Sequence, residues 1–512
     1  MGLVVRDRGP TPSDPLGPII CNVAEPVSSH SWWPCRDVPW DKALVTVALT
    51  VPDTLDAVAN GLKIDDAPAD PGWRRTVWAS AYPMPPYLVG ISVSEFVHWE
   101  EDCTGDAGPL RLTYDVFPED EEPGRAFFEP TCAALDFLEG IAGPYPFPDE
   151  RYGQMEIKWG GAMEHQTSSS IGNAMIHTET LFLDVVLHEL AHQWFGDLLT
   201  PATWNDIWLN EGFARFCEAL WVEHRFGRGS YLDFLRQIGP ARHPLLFTDA
   251  GPLTDPSPIL QALVYDKGAW VLHMLREHLG DDRFFDLLRN YADDPELRFA
   301  SVSSVDFIAH ASYVAGEDLT RWFGPWLESS DVPTLAWSWN ADAAASQGGI
   351  GSVTVEVAQQ QPTLFDLRLP VFVVAQGDTT RHVLSGDGPR LRGVFRVRGP
   401  VEGVLLDPEA TLLMTTVPLA APAIALSAVP PSPTPPAGAA VDFTLLHTGP
   451  VTFTLYDARG RALQRWEPGE FSGGDDHTWT WPGVGEQAAS AVYWLEAASG
   501  GMTSVKKIVT VH

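Results

Sequence analysis

The stretch His188-Glu189-Leu190-Ala191-His192 decides the fold, together with Glu211 in Trp208-Leu209-Asn210-Glu211-Gly212. Residues four apart lie on one face of a helix, so the imidazoles of His188 and His192 can converge on one metal ion. Eighteen residues separate His192 from Glu211, which is enough chain to end one helix and bring a second alongside. Three such ligands leave one position for water, as in a catalytic zinc site. We therefore predict one zinc ion per chain, although paired histidines also occur by chance on helices.

The segment between these ligands predicts where the helices end and begin. Gly196-Asp197 ends the first apolar run, and Thr200-Pro201 interrupts the chain after it. Thr203-Trp204-Asn205-Asp206 has the form of a capping box, which predicts that the second helix begins there.

With these motifs the chain resembles the gluzincin aminopeptidases, the family of alanyl aminopeptidases and leukotriene hydrolase. That family's signature is HExxH, eighteen residues and then Glu, and the run from Trp208 to Ala214 is also typical of it. The resemblance covers about residues 17 to 418. It implies a thermolysin-like, mainly helical catalytic domain and peptide substrates with a free N-terminus.

Candidate catalytic groups follow from the motif and from the resemblance. Glu189 is the candidate general base, because a carboxylate beside the metal can take a proton from water and return it to the leaving amine. The segment from Val264 to Gly268 resembles the family segment that carries the transition-state tyrosine, which implies that role for Tyr265. Without that resemblance, Tyr265 would instead be interpreted as an interfacial core tyrosine. Glu218 lies two helical turns after Glu211, where it could hold a ligand imidazole or be a solvated helix carboxylate.

The segment from Gly160 to His165 resembles the family's GxMEN exopeptidase motif. The resemblance implies that Gly161, Ala162 and Met163 line the peptide as an extra strand and that Glu164 meets the substrate's ammonium. His165 replaces the usual asparagine. Because histidine titrates near pH 6.5, we expect His165 to make binding depend on pH.

A second amine-binding residue is implied upstream. Glu25 precedes a Trp-Trp-Pro-Cys run at residues 32–35 and lies where the family places its other amine-binding acid or amide. A surface glutamate is the alternative interpretation.

Composition limits the classes of protein. The 512 residues are 45% hydrophobic and include 20 tryptophans, so the chain can bury several cores. Its formal net charge of -34 argues against a nucleic-acid partner. The five cysteines show no paired spacing, so buried thiols are expected rather than disulfides. No apolar run is long enough for a membrane span, and no signal peptide is recognised at the start.

The sequence predicts a multidomain α+β protein. Alternating strands predict a partial N-terminal β domain over residues 1–125, and helical periodicity predicts the catalytic domain over 126–335. A small β-sandwich is expected over 336–418 and a Pro-rich linker over 419–438. Residues 439–512 resemble immunoglobulin-like C-terminal modules, including type IX sorting domains. That resemblance implies contact with a secretion machinery and a secreted, periplasmic or cell-surface location, or else an inert spacer.

These observations predict a zinc aminopeptidase. Two alternatives stay open at this point: an epoxide hydrolase of the leukotriene type, which shares the zinc residues, and a non-catalytic scaffold on the same fold.

Overall fold

A computed structural model gives the architecture and describes residues 2–9, 16–106, 108–178, 185–240, 251–341, 350–418, 424–428, 439–445, 448–457, 461–472, 475–482, 491–499 and 502–510. The chain divides into two compact units. One holds Met1–Leu335 and Trp339–Thr416, and the other holds Ala336–Ser338 and Val417–His512. The succession of strands, helices and strands confirms the multidomain α+β fold. The finer division into five segments stays a prediction.

The N-terminal region consists of antiparallel strands, as its alternating pattern predicts. They are β1 (Gly2–Asp7), β2 (Pro18–Val23), β3 (Thr46–Pro52), β4 (Asp56–Ala59), β5 (Leu62–Pro68), β6 (Trp73–Ala79), β7 (Ile91–Ser94), β8 (Val97–Gly105) and β9 (Gly108–Val116). One sheet has the order β1-β2-β7-β4, and another has the order β3-β6-β5. Because β2 ends at Val23, the first sheet places the segment that carries Glu25.

Strands β8 and β9 continue into a five-stranded sheet that carries the predicted peptide-binding motif. Its other strands are β10 (Arg151–Ile157), β11 (Ala162–Met163) and β12 (Ser168–Gly172). The order is β11-β12-β10-β9-β8, so β11 lies at an edge. Strand β10 is parallel to β9 and β12 and is buried along its whole length, as is typical of a central parallel strand.

Helices dominate the chain between residues 117 and 333. Those in the described residues are α1 (Glu121–Phe128), α2 (Thr131–Ala142), α3 (Asn173–Ile176), α4 (Leu187–Ala191), α5 (Trp208–Phe226), α6 (Arg228–Gln237), α7 (Ala262–Leu279), α8 (Asp281–Asp293), α9 (Ser304–Ala315) and α10 (Thr320–Glu328). Two short strands, β13 (Thr200–Pro201) and β14 (Ser301–Val302), pair in parallel. In α5, Phe213, Phe216 and Leu220 follow the helical period and are buried. Of the described helices, none is long and apolar enough to cross a membrane.

The chain then returns to strands. They are β15 (Thr334–Ala341), β16 (Ile350–Gln359), β17 (Leu367–Ala375), β18 (Asp378–Gly386), β19 (Arg390–Arg398), β20 (Val401–Leu406) and β21 (Thr415–Pro418). Strand β16 pairs with β19, and β17 lies between β18 and β20. Val353, Val355 and Val357 of β16 are buried at every second position, which is the period expected of a strand with one face in a core.

The second unit contains two further sheets. Its strands are β22 (Ile424–Ala428), β23 (Ala439–Leu445), β24 (Gly449–Asp457), β25 (Ala462–Phe471), β26 (Asp476–Trp481), β27 (Ala491–Ser499) and β28 (Met502–Thr510). The orders are β22-β23-β26 and β25-β24-β27-β28, and Phe443, Phe453 and Trp481 lie in the core that both sheets share. The unit is β-rich, whereas its immunoglobulin-like character and export role stay predictions. The proline run at residues 430–436 lies outside the described residues.

The expectation of unpaired cysteines is wrong for one pair. Cys103 on β8 and Cys132 on α2 form a disulfide, with their Cα atoms 5.6 Å apart. Cys21, Cys35 and Cys217 are free thiols. The pair is 29 residues apart in sequence and becomes adjacent only through the packing of α2 against β8, so spacing alone did not reveal it.

Candidate active site

The side chains of His188, His192 and Glu211 converge on one point. Their candidate ligand atoms all lie within 4.8 Å of one another. Glu211 Oε2 is 3.1 Å from His188 Nε2 and 3.5 Å from His192 Nε2. A tetrahedral ion bound at 2.0–2.1 Å needs ligand atoms roughly 3.3 Å apart, so this donor set fits zinc.

The outer ring nitrogens of both histidines already have partners. His188 Nδ1 lies 2.8 Å from Glu218 Oε1, and His192 Nδ1 lies 3.0 Å from the carbonyl oxygen of Phe195. A ring nitrogen that donates to an oxygen leaves the other nitrogen as the acceptor. Both Nε2 atoms are therefore oriented as acceptors toward a metal ion. In metal sites, a hydrogen-bond partner on the outer ring nitrogen commonly fixes the imidazole in this way. The Phe195 carbonyl was not predicted, because a main-chain acceptor has no signal in the side-chain pattern.

Glu211 is ionised in this setting. Burial alone would raise its pKa, but when the two Nε2 atoms carry protons, hydrogen bonds from His188 and His192 lower the pKa of Glu211 to about 2. A bound cation would take the place of those protons. A carboxylate that stays charged in a buried site is suited to a divalent cation.

The start of α5 differs from the prediction. Thr203 Oγ1 donates to Asp206 Oδ2 at 2.9 Å, but neither side chain caps the helix, which begins only at Trp208. Asp206 Oδ1 instead accepts from the backbone nitrogen and hydroxyl of Ser304, each at 2.8 Å. The carboxylate is thus used in a contact with α9, which a local pattern cannot show.

Two glycines bring the Glu211 helix against the Tyr265 helix. A Cβ atom on Gly212 of α5 would lie 2.8 Å from Gly268 Cα of α7, and one on Gly268 would lie 2.7 Å from Gly212 Cα. Both distances are too short for any side chain, because the neighbouring atoms are backbone. The crossing therefore requires glycine at both positions, and it places Glu211 and Tyr265 on adjoining turns.

Tyr265 lies beside the metal-ligand cluster. Its ring stacks on the His188 imidazole, with centroids 5.9 Å apart and planes inclined by 20°. Burial raises the pKa of Tyr265 well above its ordinary value, and nearby Glu211 adds to the effect. The phenol is therefore protonated and can donate a hydrogen bond.

Arg215 links the parts of this cluster and was not predicted from the sequence. Its Nη1 donates to Glu218 at 2.6 Å and its Nε donates to Asp266 at 3.2 Å. Arg215 thereby joins the carboxylate that holds His188 to the residue that follows Tyr265. The three-residue spacing of Arg215 and Glu218 on a helix was the available signal.

The metal ligands open into a cavity of about 370 Å³. Its lining residues come from the N-terminal sheet, the edge strand and the helices, and they are Val23, Glu25, Trp159, Ala162, Met163, Glu164, His188, Glu189, His192, Glu211, Leu260 and Tyr265. Burial raises the pKa of Glu189 to about 8, even though the two imidazoles oppose this shift. Gly161 lies outside this set and instead accepts a hydrogen bond from Gly172.

Glu164 is buried and Glu25 is half-buried, and both line the cavity. Burial raises the pKa of each, and the repulsion between the carboxylates adds to the effect for Glu25. Among the described residues, Glu25 Oε1 and Glu164 Oε1 have no hydrogen-bond partner. Buried carboxylates with unpartnered oxygens attract a cation that can donate hydrogen bonds.

His165 does not behave as expected from its ordinary pKa. It is fully buried, its Nδ1 lies 2.8 Å from Ser170 Oγ, and its ring packs against Gly90. Burial lowers the pKa of His165 to about 3, so the ring is neutral at pH 6 to 7. The expected titration near pH 6.5 is therefore wrong, because a sequence motif carries no measure of burial.

Two protein-family models match segments of the chain that contain candidate site residues. The Peptidase family M1 domain matches residues 142–326, which include the metal-ligand cluster. The Peptidase M1 N-terminal domain matches residues 13–88, which include Glu25.

Individual relatives agree with the family match. Glutamyl aminopeptidase of Rattus norvegicus is 27% identical over 333 residues, which are 61% of this chain and 34% of the relative. Aminopeptidase N of Canis lupus familiaris is 31% identical over 283 residues, which are 49% of this chain and 28% of the relative. The chain thus spans about a third of the length of the curated relatives it matches.

A solved structure has the same fold. The crystal structure of Legionella pneumophila aminopeptidase A in complex with aspartic acid matches with a TM-score of 0.67, over 81% of this chain and 48% of that chain. At 17% identity the match shows the fold alone. With both matched domains and their relatives taken together, the chain belongs to peptidase family M1.

Proposed function

We propose that the protein is a zinc-dependent aminopeptidase that removes the first residue from peptides. The observation that carries the proposal is one cavity lined by the His188, His192 and Glu211 cluster, by Glu189 and by two further carboxylates, Glu25 and Glu164. The names of the relatives, glutamyl aminopeptidase and aminopeptidase N, support the reaction class and leave the preferred first residue open.

The proposed substrate binds by its free amine and by its backbone. Glu164 and Glu25 pair with the α-ammonium, whose charge relieves their mutual repulsion. Ala162 and Met163 form β11 at the edge of its sheet, where an extended peptide can add as a further strand. A substrate held at its amine presents its first peptide bond to the metal ligands, which makes the enzyme an exopeptidase.

The residues around the metal ligands carry the proton transfers. Zinc, when held by His188, His192 and Glu211, lowers the pKa of water to about 7 and polarises a carbonyl. Glu189 accepts the proton of the attacking water and delivers it to the leaving amine. Tyr265 donates a hydrogen bond to the oxygen on which negative charge develops.

Peptide digestion tests this function directly. The purified protein is incubated with a peptide that has a free N-terminus, and the products are identified by mass spectrometry. We expect stepwise loss of N-terminal residues, which stops with a chelator and returns when zinc is added. Cleavage that persists without metal, or an intact peptide with the zinc-loaded protein, would contradict the proposal.

A further inference from the structure

Two chemically distinct sets of residues line the cavity beside the metal ligands. One set is acidic and consists of Glu25, Glu164, Glu189 and Glu211. Outside these acids and the three aromatic metal-side residues His188, His192 and Tyr265, the described lining is apolar and comes from Val23, Trp159, Ala162, Met163 and Leu260. Among the described lining residues there is no lysine or arginine.

The apolar residues adjoin the acids assigned to the amine. Val23 ends β2 two residues before Glu25, and Met163 ends β11 directly before Glu164. Both apolar side chains are nearly inaccessible to solvent, Val23 at 5% and Met163 at 2% exposure. In a peptide, the first side chain and the α-ammonium are attached to the same Cα. Val23 and Met163 line the same cavity as Glu25 and Glu164, so a substrate whose ammonium reaches these acids has its first side chain in a cavity that contains both apolar residues.

Lys42, Lys158 and Arg215 do not line the cavity, and each is engaged elsewhere. Lys42 Nζ donates to the carbonyl oxygens of Asp197, Leu198 and Ala300 at 3.0–3.4 Å. Lys158 Nζ donates to the carbonyl oxygen of Arg8 at 2.8 Å, although Lys158 is next to Trp159 in sequence. Arg215 is held by Glu218 and Asp266. A carboxylate on the first side chain would find none of these cations free and would share the cavity with four glutamates.

We propose that the cavity accepts an apolar first side chain and rejects a carboxylate there, an inference that rests on the proposed aminopeptidase function. Apolar contact with Val23, Trp159, Met163 and Leu260 favours leucine or methionine. A glutamate or aspartate side chain would be desolvated next to like charges, which is a form of discrimination by repulsion.

Hydrolysis of aminoacyl-anilides by the zinc-loaded enzyme tests this selection. The panel contains the leucyl, methionyl, lysyl and glutamyl compounds, and kcat/KM is compared among them. We expect leucyl or methionyl to exceed glutamyl by at least about 100-fold, since like-charge juxtaposition costs several kcal/mol. A kcat/KM for the glutamyl compound within about tenfold of that for the leucyl compound would overturn the inference. A kcat/KM for the lysyl compound above that for the leucyl compound would also overturn it.

A binding measurement separates this inference from the proposed function. If no anilide is hydrolysed, the aminopeptidase function fails, but calorimetry with leucinamide and with the α-amide of glutamic acid still reports on the cavity. Tighter binding of leucinamide by about 100-fold supports the inference. Equal affinity overturns it.

Substitution of Val23 locates the side-chain pocket. Val23→Lys should lower the ratio of kcat/KM for the leucyl compound to kcat/KM for the glutamyl compound by about tenfold or more. The reason is that lysine supplies a cation that the described lining lacks. Val23→Gln adds similar length without charge and should leave the ratio near the wild-type value. The ratio is independent of the fraction of active protein, so partial misfolding does not affect it. An unchanged ratio in Val23→Lys would overturn the assignment of Val23 to this pocket.

Discussion

Gly212 and Gly268 meet where α5 crosses α7, and a Cβ atom on Gly212 would lie 2.8 Å from Gly268 Cα. The contact joins the helix that carries Glu211 to the helix that carries Tyr265. Glycine at position 212 is therefore a packing requirement of the site, beyond its place in the sequence motif.

Gly212→Ala should lower the free energy of unfolding by about 1 to 3 kcal/mol, the usual cost of overpacking. It should also weaken zinc binding, because separation of the helices displaces the adjacent Glu211. Urea denaturation and zinc titration measure the two effects. The matched control is Gly229→Ala on α6, where an added Cβ meets nothing within 4 Å and alanine should be neutral or favourable. Equal behaviour of both variants would argue against the packing role.

Glu218→Gln should weaken zinc affinity by about 10- to 100-fold, the usual effect of losing the partner that orients a ligand imidazole. The reason is the 2.8 Å contact between Glu218 Oε1 and His188 Nδ1. Competition with a chelator of known affinity gives the measurement. Glu223→Gln removes a charge from the same helix where the carboxylate contacts Arg276 and Arg228, and it should leave zinc affinity unchanged.

Glu189→Gln should keep zinc and lose turnover, because Glu189 is assigned proton transfer and is not a ligand. The rate should fall by about 10²- to 10⁴-fold or more. Metal content and single-turnover rate are measured on the same sample. An empty metal site in this variant would give Glu189 a structural role instead.

His165→Asn should leave the pH dependence of kcat/KM unchanged between pH 6 and 7. Burial lowers the pKa of His165 to about 3, so the folded protein does not take up this proton in that range. Between pH 6.5 and about 3, the unfolded chain binds a proton that the folded chain excludes. The stability associated with neutral His165 is therefore complete above pH 6.5 and decreases as the pH falls, by up to about 1.4 kcal/mol per pH unit.

Urea denaturation at several pH values tests this sign. Asparagine does not titrate, so the stability of His165→Asn relative to wild type should rise as the pH falls from 6.5 to 4. A difference that is constant with pH would mean that His165 is protonated in the folded protein.

The sequence predicts the parts of the site that depend on local spacing. His188 and His192 are one helical turn apart, so their convergence follows from spacing. The interval to Glu211 suffices for a second helix, and the resemblance to the family supports Glu211 as the third ligand. The alternating strands of the N-terminal region and of the second unit also follow from spacing.

Features that depend on contacts distant in sequence could not be predicted. The Gly212 and Gly268 crossing, the disulfide of Cys103 with Cys132 and the burial of His165 all arise when separate elements pack. Asp206 shows how such packing overrides a local pattern. Ser304 donates two hydrogen bonds to the carboxylate that the capping box would otherwise use.

Glu164→Ala should lower kcat/KM for substrates with a free amine. The decrease should correspond to a loss of about 2 to 4 kcal/mol of transition-state stabilisation, the usual cost of breaking a buried charge pair. Glu25→Ala should have a smaller effect, because Glu164 remains to bind the ammonium. Both variants should retain zinc, which metal analysis checks.

The most direct test of aminopeptidase action compares two peptides that differ only in N-terminal acetylation, digested by the zinc-loaded wild-type protein. The proposed anchoring of the α-ammonium by Glu164 and Glu25 predicts that the free peptide loses its first residue and that the acetylated peptide is not cleaved. Cleavage of both peptides at comparable rates, or cleavage at internal bonds, would contradict this anchoring and make the protein an endopeptidase.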